Sequence, residues 1–144
     1  MIIASGSDHA GFEQKQLLIE YLKEEGYEVV DLGPNSADRV DYPDYAVKVA
    51  HYVADGKARF GVLVCGTGIG MAITANKIHD IRAANITSVE FAKLARGHND
   101  ANMITLSGRY VDLETNKQIL DAFLTAEFEG GRHALRVAKI MMLE

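Results

Sequence analysis

The chain has 144 residues, 48% of them hydrophobic, a net charge of −5 and one cysteine. That size and apolar content fit a single domain, 1–144, with a sizeable core, and the negative balance argues against nucleic acid or an anionic membrane as the main partner. One cysteine excludes an internal disulfide and suits a reducing, cytoplasmic setting; Met1-Ile2-Ile3-Ala4 is too short for a secretory leader, and no apolar run approaches membrane-spanning length.

Short apolar runs alternate with amphipathic ones. Residues 2–5 are predicted as a strand, followed by the loop 6–11, in which Ser7 or Asp8 is expected to cap the next helix. That helix, 12–25, carries Leu17, Leu18, Tyr21 and Leu22 on one face and stops at Gly26. A second strand is predicted over 28–32. The polar loop 33–43 is long, a common place for function. A helix over 45–55 and a third strand over 60–65 follow. A short helix, 71–77, leads to a fourth strand, 82–86, and a helix, 89–96. The fifth strand is predicted over 102–106 and a long helix over 113–126. Gly130-Gly131 breaks the chain before a last helix, 133–142. Strands alternating with helices predict the α/β class: a five-stranded parallel sheet with helices on both faces. Ligands of such sheets sit at the carboxyl ends of the strands. Most of the polar residues that follow predicted strand ends, together with His98, Asn99 and Arg109, are therefore expected around one rim.

Cys65-Gly66-Thr67-Gly68-Ile69-Gly70 is the most informative stretch. A strand that breaks into glycines and turns into a helix sets bare backbone N–H groups around a concavity, which suits an anion or a developing oxyanion. It also places the thiol at the positive end of a helix dipole, a setting that activates cysteines. Familiar glycine loops do not fit. A dinucleotide fingerprint needs G-x-G-x-x-G after a first strand, and here the last spacing is one residue short and the strand is the third. No glycine-lysine-serine or glycine-lysine-threonine occurs, and Met71 stands where a cysteine phosphatase carries its arginine. A tight turn around a buried core thiol reads the motif as well as a functional loop does.

Other residues carry two readings each. His9 is either part of a helix start or a hydrogen-bond donor to a ligand. His98-Asn99-Asp100 turns the chain between a helix and a strand, which needs no histidine; a histidine there can exchange protons near neutral pH. Arg132 and Arg136 lie four apart on the last helix, so they share a face that is either solvated or suited to a phosphate. No histidine, cysteine or carboxylate groups fall at zinc-binding spacings, so a metal site is not expected.

An ordered set of segments spanning nearly the whole chain then comes together: Gly6-Ser7-Asp8-His9-Ala10-Gly11, Val40-Asp41-Tyr42-Pro43-Asp44, Cys65 to Gly70, Ala75-Asn76-Lys77, Ile81-Arg82-Ala83, His98-Asn99-Asp100-Ala101-Asn102, and Glu129-Gly130-Gly131-Arg132-His133 with Arg136-Val137. In this set the chain resembles the type B ribose-5-phosphate isomerases, within the wider ribose/galactose isomerase family. The resemblance implies a Rossmann-like fold, a homodimer or dimer of dimers with active sites shared between subunits, and a phosphorylated aldose or ketose as substrate, without metal or cofactor. It implies Cys65 as the base that moves a proton between carbons 2 and 1, His98 as the residue that opens the furanose ring, and Thr67 beside them. Asp8, His9, Tyr42, Asn99 and the loop Gly66, Gly68, Ile69 and Gly70 resemble sugar contacts. Arg109, Arg132 and Arg136 resemble phosphate contacts, some of them reaching across a dimer, with the C-terminal helix 132–143 packed against the partner.

The chemistry agrees with those roles. Isomerisation through an enediol needs one group that takes and returns a proton, and negative charge on an oxygen beside carbon 1 or 2 needs donors. The N–H groups of Gly68 to Gly70 and the Thr67 hydroxyl are expected to supply them, each donor contributing about 3 kcal/mol. In galactose-6-phosphate isomerases the cysteine loop and the histidine–arginine half lie on different polypeptides; this chain carries both. Arg96-Gly97-His98-Asn99 and Met103-Ile104-Thr105 are nonetheless similar to one of those subunits, and Asn85-Ile86 departs from the smaller or more apolar residues expected there. Three other readings compete: isomerisation of a six-carbon phosphate such as allose or galactose 6-phosphate, a sugar-phosphate-binding regulator without turnover, and cysteine-nucleophile hydrolysis. The regulator needs neither Cys65 nor His98. The hydrolase needs a histidine paired with Cys65.

Overall fold

The computed structural model describes residues 1–144. Five strands and six helices follow one another as β1 (Ile2–Ser7), α1 (Phe12–Glu24), β2 (Glu28–Asp31), α2 (Tyr42–Ala54), β3 (Phe60–Cys65), α3 (Ile69–Ala75), β4 (Ala83–Asn85), α4 (Val89–Gly97), β5 (Met103–Ser107), α5 (Leu113–Thr125) and α6 (Arg132–Met141). The strands form one parallel sheet in the order β2-β1-β3-β5-β4. The α/β expectation holds, with helices on both faces.

The central strand β3 explains the layering. All of its residues are buried, and its side chains alternate between faces, as the pleat requires. Phe60, Val62 and Val64 join Leu18 and Leu22 of α1, Ala92 and Ala95 of α4 and Ile119, Leu120 and Phe123 of α5 in one core. Leu63 and Cys65 join Ala46, Val49 and Ala50 of α2 and Met71 and Ala75 of α3 in the other. A strand buried on both sides needs a continuous apolar run, and Phe60 to Cys65 supplies one.

Each crossover helix runs antiparallel to the strands, so every strand ends at one edge of the sheet and every crossover helix at the opposite edge. The chain leaves β1 toward β2 and then returns past β1 to β3. The crevice of the sheet therefore opens between the carboxyl ends of β1 and β3.

Several predicted boundaries move. β1 extends to Ser7, and β5 runs one residue further, to Ser107. α2 begins at Tyr42, not at residue 45, because Pro43 occupies the first turn, where its missing N–H costs nothing. α3 begins at Ile69 and ends at Ala75. α1 is not capped by Ser7 or Asp8: its N-cap is Gly11, whose N–H donates to Asp8 Oδ1 at 3.0 Å, so Asp8 braces the loop instead.

α6 stands apart. None of its residues is fully buried. His133, Val137 and Met141, one turn apart, face the body of the protein and are half-buried. Its far end touches the sheet edge, where Arg82 donates to Met141 Sδ (3.3 Å) and the Asp80 N–H donates to the Glu144 carboxylate (2.6 Å). Leu135 and Ile140 are 65% and 46% exposed.

Candidate active site

The loops after β1, β3 and β5 are neighbours because their strands are. They are also tied to one another. The Asp8 N–H donates to Val64 O (3.2 Å), the Gly108 N–H to Cys65 O (2.8 Å) and the Arg109 N–H to Gly66 O (3.2 Å). The Ser107 hydroxyl donates to Gly66 O as well (2.7 Å).

Cys65 closes β3 and is buried, 5% exposed as a residue. The Gly68 N–H donates to its Sγ at 3.0 Å. That contact depends on the glycine: Gly68 has φ +84°, and a Cβ there would come within 2.5 Å of Asn85 Oδ1 and 3.0 Å of Leu106 O. The Gly68 carbonyl is fixed in turn by the Thr105 hydroxyl (2.7 Å). The Ile69 N–H donates to Thr67 Oγ1 (3.1 Å). Two of the three N–H groups expected to bind an oxyanion, those of Gly68 and Ile69, are therefore used within the turn. The free donors are the N–H groups of Gly70 and Met71, which have no partner within the chain. Thr67 is exposed beside them.

Tyr42, the first residue of α2, lies over Gly70. A Cβ on Gly70 would sit 2.4 Å from the Tyr42 ring, so the ring and the glycine turn pack directly. An open recess beside it is lined by Asp8, His9, Arg39, Asp41 and Tyr42. The Val40 N–H donates to His9 Nδ1 (3.3 Å), which leaves Nε2 to carry a proton toward the recess. The loop 33–41 that holds this wall is anchored by Lys15, fully buried, whose Nζ donates to Asp31 Oδ1 (2.7 Å) and Pro34 O (2.8 Å). Arg109 reaches over Gly66 from the β5 loop and is exposed.

His98, Asn99, Arg132 and Arg136 are elsewhere. Most of the polar residues expected at one rim lie there, but His98 and Asn99 do not, because His98 caps the C-terminus of α4, and α4 returns antiparallel to the strands. The turn after it meets the amino ends of β4 and β5, where the Asn102 N–H donates to Arg82 O (3.0 Å). A six-residue strand places that end about 17 Å from Cys65. The turn is clamped by Asp100, at φ +48°. Its carboxylate accepts from the buried Arg96 (2.7 Å) and from Arg82 (3.3 Å). The α6 arginines are exposed there, and neither they nor Arg109 enter any of the chain's ion pairs.

A cluster missed in the sequence surrounds His98. Its Nε2 lies 3.3 Å from Glu129 Oε2, and His133 Nε2 lies 3.8 Å from Glu129 Oε1. The two imidazole rings stack with centroids 4.1 Å apart and planes 9° from parallel. Burial, and then the His98 charge beside it, hold His133 below the ordinary histidine value; Arg132 and Arg136 act the same way, and Glu129 opposes them. Glu129 and His133 sit four apart in sequence, but Gly130-Gly131 between them, both at positive φ, hid their convergence. Three donor atoms within 4.8 Å could approach a cation. Parallel rings direct their in-plane lone pairs along separate planes, however, so a shared ion requires one ring to turn out of the stack. Arg39 was also missed, though the loop that carries it was singled out.

A family model described as Ribose/Galactose Isomerase matches residues 3–140. The Escherichia coli protein named ribose-5-phosphate isomerase B is 47% identical over 99% of this chain and 95% of its own length. The solved Clostridium thermocellum ribose-5-phosphate isomerase B superposes with a TM-score of 0.98 at 47% identity, covering 99% of this chain and 97% of that one. The Mycoplasma genitalium ribose-5-phosphate isomerase B, solved with bound ribulose-5-phosphate, gives 0.94 at 44% identity, over 99% of this chain and 95% of its own. With a matched model across almost its whole length, this chain belongs to the ribose/galactose isomerase family.

Proposed function

We propose that the chain interconverts D-ribose 5-phosphate and D-ribulose 5-phosphate through an enediol, with Cys65 as the base. The observation that carries this reading is the seat of Cys65. A nearly buried sulfur heads a glycine turn whose Gly70 and Met71 N–H groups are free, with the Thr67 hydroxyl beside them and the wall of Asp8, His9 and Tyr42 across the crevice. The ribulose 5-phosphate bound by the Mycoplasma relative supports the choice of sugar.

In the forward direction the Cys65 thiolate takes the proton from carbon 2 of the open aldose. The C2–H electrons form the C1=C2 bond, and the carbonyl electrons move onto O1. The developing oxyanion faces the free N–H groups, which need no reorganisation to receive it. The O2 hydroxyl proton passes to O1, giving the enediolate with its charge on O2, and the thiol then returns its proton to carbon 1 as the C2 carbonyl forms. Arg109 serves the phosphate end, whose binding energy positions the reacting carbons.

One chain holds only half of this machinery at its crevice. His98, Asn99, Arg132 and Arg136 at the far edge complete the crevice of a second copy, in a homodimer across which α6 packs. The unpaired arginines and the exposed Leu135 and Ile140 support that arrangement. Within one chain the only hydrogen-bond partner of Sγ is a backbone N–H, so a cysteine hydrolase would have to draw its histidine from a second copy.

Turnover of ribose, allose and galactose 6- or 5-phosphates with EDTA present tests the substrate, and fast turnover of the pentose alone is expected. Cys65→Ala is expected to abolish wash-in of solvent deuterium at carbon 1 of ribulose 5-phosphate while leaving its calorimetric Kd within about threefold, since the phosphate contacts are untouched. Near-native exchange in that variant removes Cys65 as the base.

A further inference from the structure

The strongest cluster outside the crevice is the stack of His98 and His133 over Glu129. We propose that Glu129 and His133 are positioning residues for ring opening: they fix His98 in one tautomer and one orientation, so that its Nδ1 alone exchanges protons with the furanose. The proposal rests on the reading of His98 as the ring-opening group.

The geometry supplies each part. The Glu129 N–H donates to Gly97 O at 2.9 Å, which pins the carboxylate beside the end of α4. Oε2 lies 3.3 Å from His98 Nε2, and its negative charge there biases the hydrogen onto that nitrogen and leaves Nδ1 as the free atom. A carboxylate on one ring nitrogen makes the other a better proton acceptor and holds the ring in place, as in carboxylate–histidine pairs generally. The His133 ring, with its side chain 12% exposed against 38% for His98, covers one face of the catalytic imidazole and leaves the other open. Two imidazolium ions cannot stack face to face without repulsion, so only one ring of the pair carries a charge. The surroundings of His133 decide which. Burial, Arg132 and Arg136 all disfavour its cation, and Glu129 is shared between both rings. His133 is thereby kept as the neutral packing surface of the pair.

Ring opening then balances on one atom. The O1 hydroxyl proton passes to Nδ1, the C1–O4 bond breaks as the C1=O1 bond forms, and Nδ1 delivers the proton to O4. No other reactant is needed.

The two directions of the reaction separate this step from the enediol chemistry. Ribose 5-phosphate is mainly a furanose and must be opened. Ribulose 5-phosphate carries its phosphate on the only hydroxyl that could close a furanose on carbon 2, so it enters already open. Deuterium wash-in at its carbon 1 therefore bypasses His98. In the full-length protein, Glu129→Gln and His133→Ala are expected to slow ribose 5-phosphate turnover about tenfold, as loss of an orienting partner commonly does, with wash-in unchanged within about twofold. His133→Phe, which keeps the stack without a titrating ring, is expected to recover most of the rate. Loss of both readouts together, or no loss of ribose 5-phosphate turnover in either variant, overturns the proposal. His98→Asn is the reference: if it leaves ribose 5-phosphate turnover intact, the ring-opening role of His98 itself has failed, which is a different result from silent positioning variants.

Discussion

At the scale of single residues, Gly68 couples backbone conformation to chemistry. Its left-handed φ turns the N–H toward Sγ, and the absence of a side chain lets Asn85 and the Leu106 carbonyl close over it. Gly68→Ala should destabilise the protein by about 1–3 kcal/mol, the usual cost of a strained backbone position, read as a lower urea midpoint. It should also reduce turnover by more than that loss of folded protein explains, because the hydrogen bond to sulfur is misaligned. Unchanged turnover per folded molecule would remove the N–H from the mechanism. This residue was legible in advance as part of a glycine turn after an apolar strand. Which N–H did what was not legible. That depends on whether Thr67 turns its hydroxyl onto the Ile69 N–H, a contact two residues long that no spacing reveals.

At the scale of elements, periodicity placed every strand and helix because each buries an apolar face. The errors lie at the ends, where local chemistry overrides pattern. Pro43 pulled the start of α2 forward to Tyr42 and so brought that ring onto Gly70. The departure of His98 and Asn99 from the shared rim came from treating a helix end like a strand end: His98 terminates α4, and in a parallel sheet the two kinds of end lie on opposite edges. Capping shows how such ends are held. Asp112 caps α5 by accepting the Thr115 N–H at 2.7 Å, and hydrogen bonds from the Thr115 hydroxyl and N–H hold its carboxyl below the ordinary carboxylate value. Its folded-state value is thus lower than the unfolded one, so its stabilisation is present above the carboxylate range and lost as pH falls through it. Asp112→Ala should lower the urea midpoint at pH 7, and the gap from the native protein should narrow as the solution is acidified. A gap that stays constant with pH would show that the carboxylate charge is not what stabilises the cap.

At the scale of the whole molecule, the fold has two chemically different ends. One end holds the thiol and the glycine turn; the other holds the stacked histidines and the α6 arginines. If each site joins one end from each of two copies, inactive variants should rescue one another. A Cys65→Ala chain and a His98→Asn chain, unfolded together and refolded at equal amounts, should regain about one quarter of native ribose 5-phosphate turnover: half the dimers are hybrids, and one of the two sites in each hybrid is intact. No recovery above either variant alone would rule out shared sites. Membership of the family was readable before the fold, from an ordered set of short segments. The division of labour between ends was not readable from the residues alone, since it arises only when the chain is wound into a sheet.

The exposed, unburied α6 adds a consequence at low abundance. A helix with no fully buried residue, if its arginines serve a second copy's crevice, holds them in a productive place only while that copy is docked. At subunit concentrations below the dissociation constant of such a dimer, complete sites would accumulate as the square of the amount synthesised. A cell that halved expression in that range would lose about three quarters of the flux, so gene dosage would act on this step as a threshold and not as a dial.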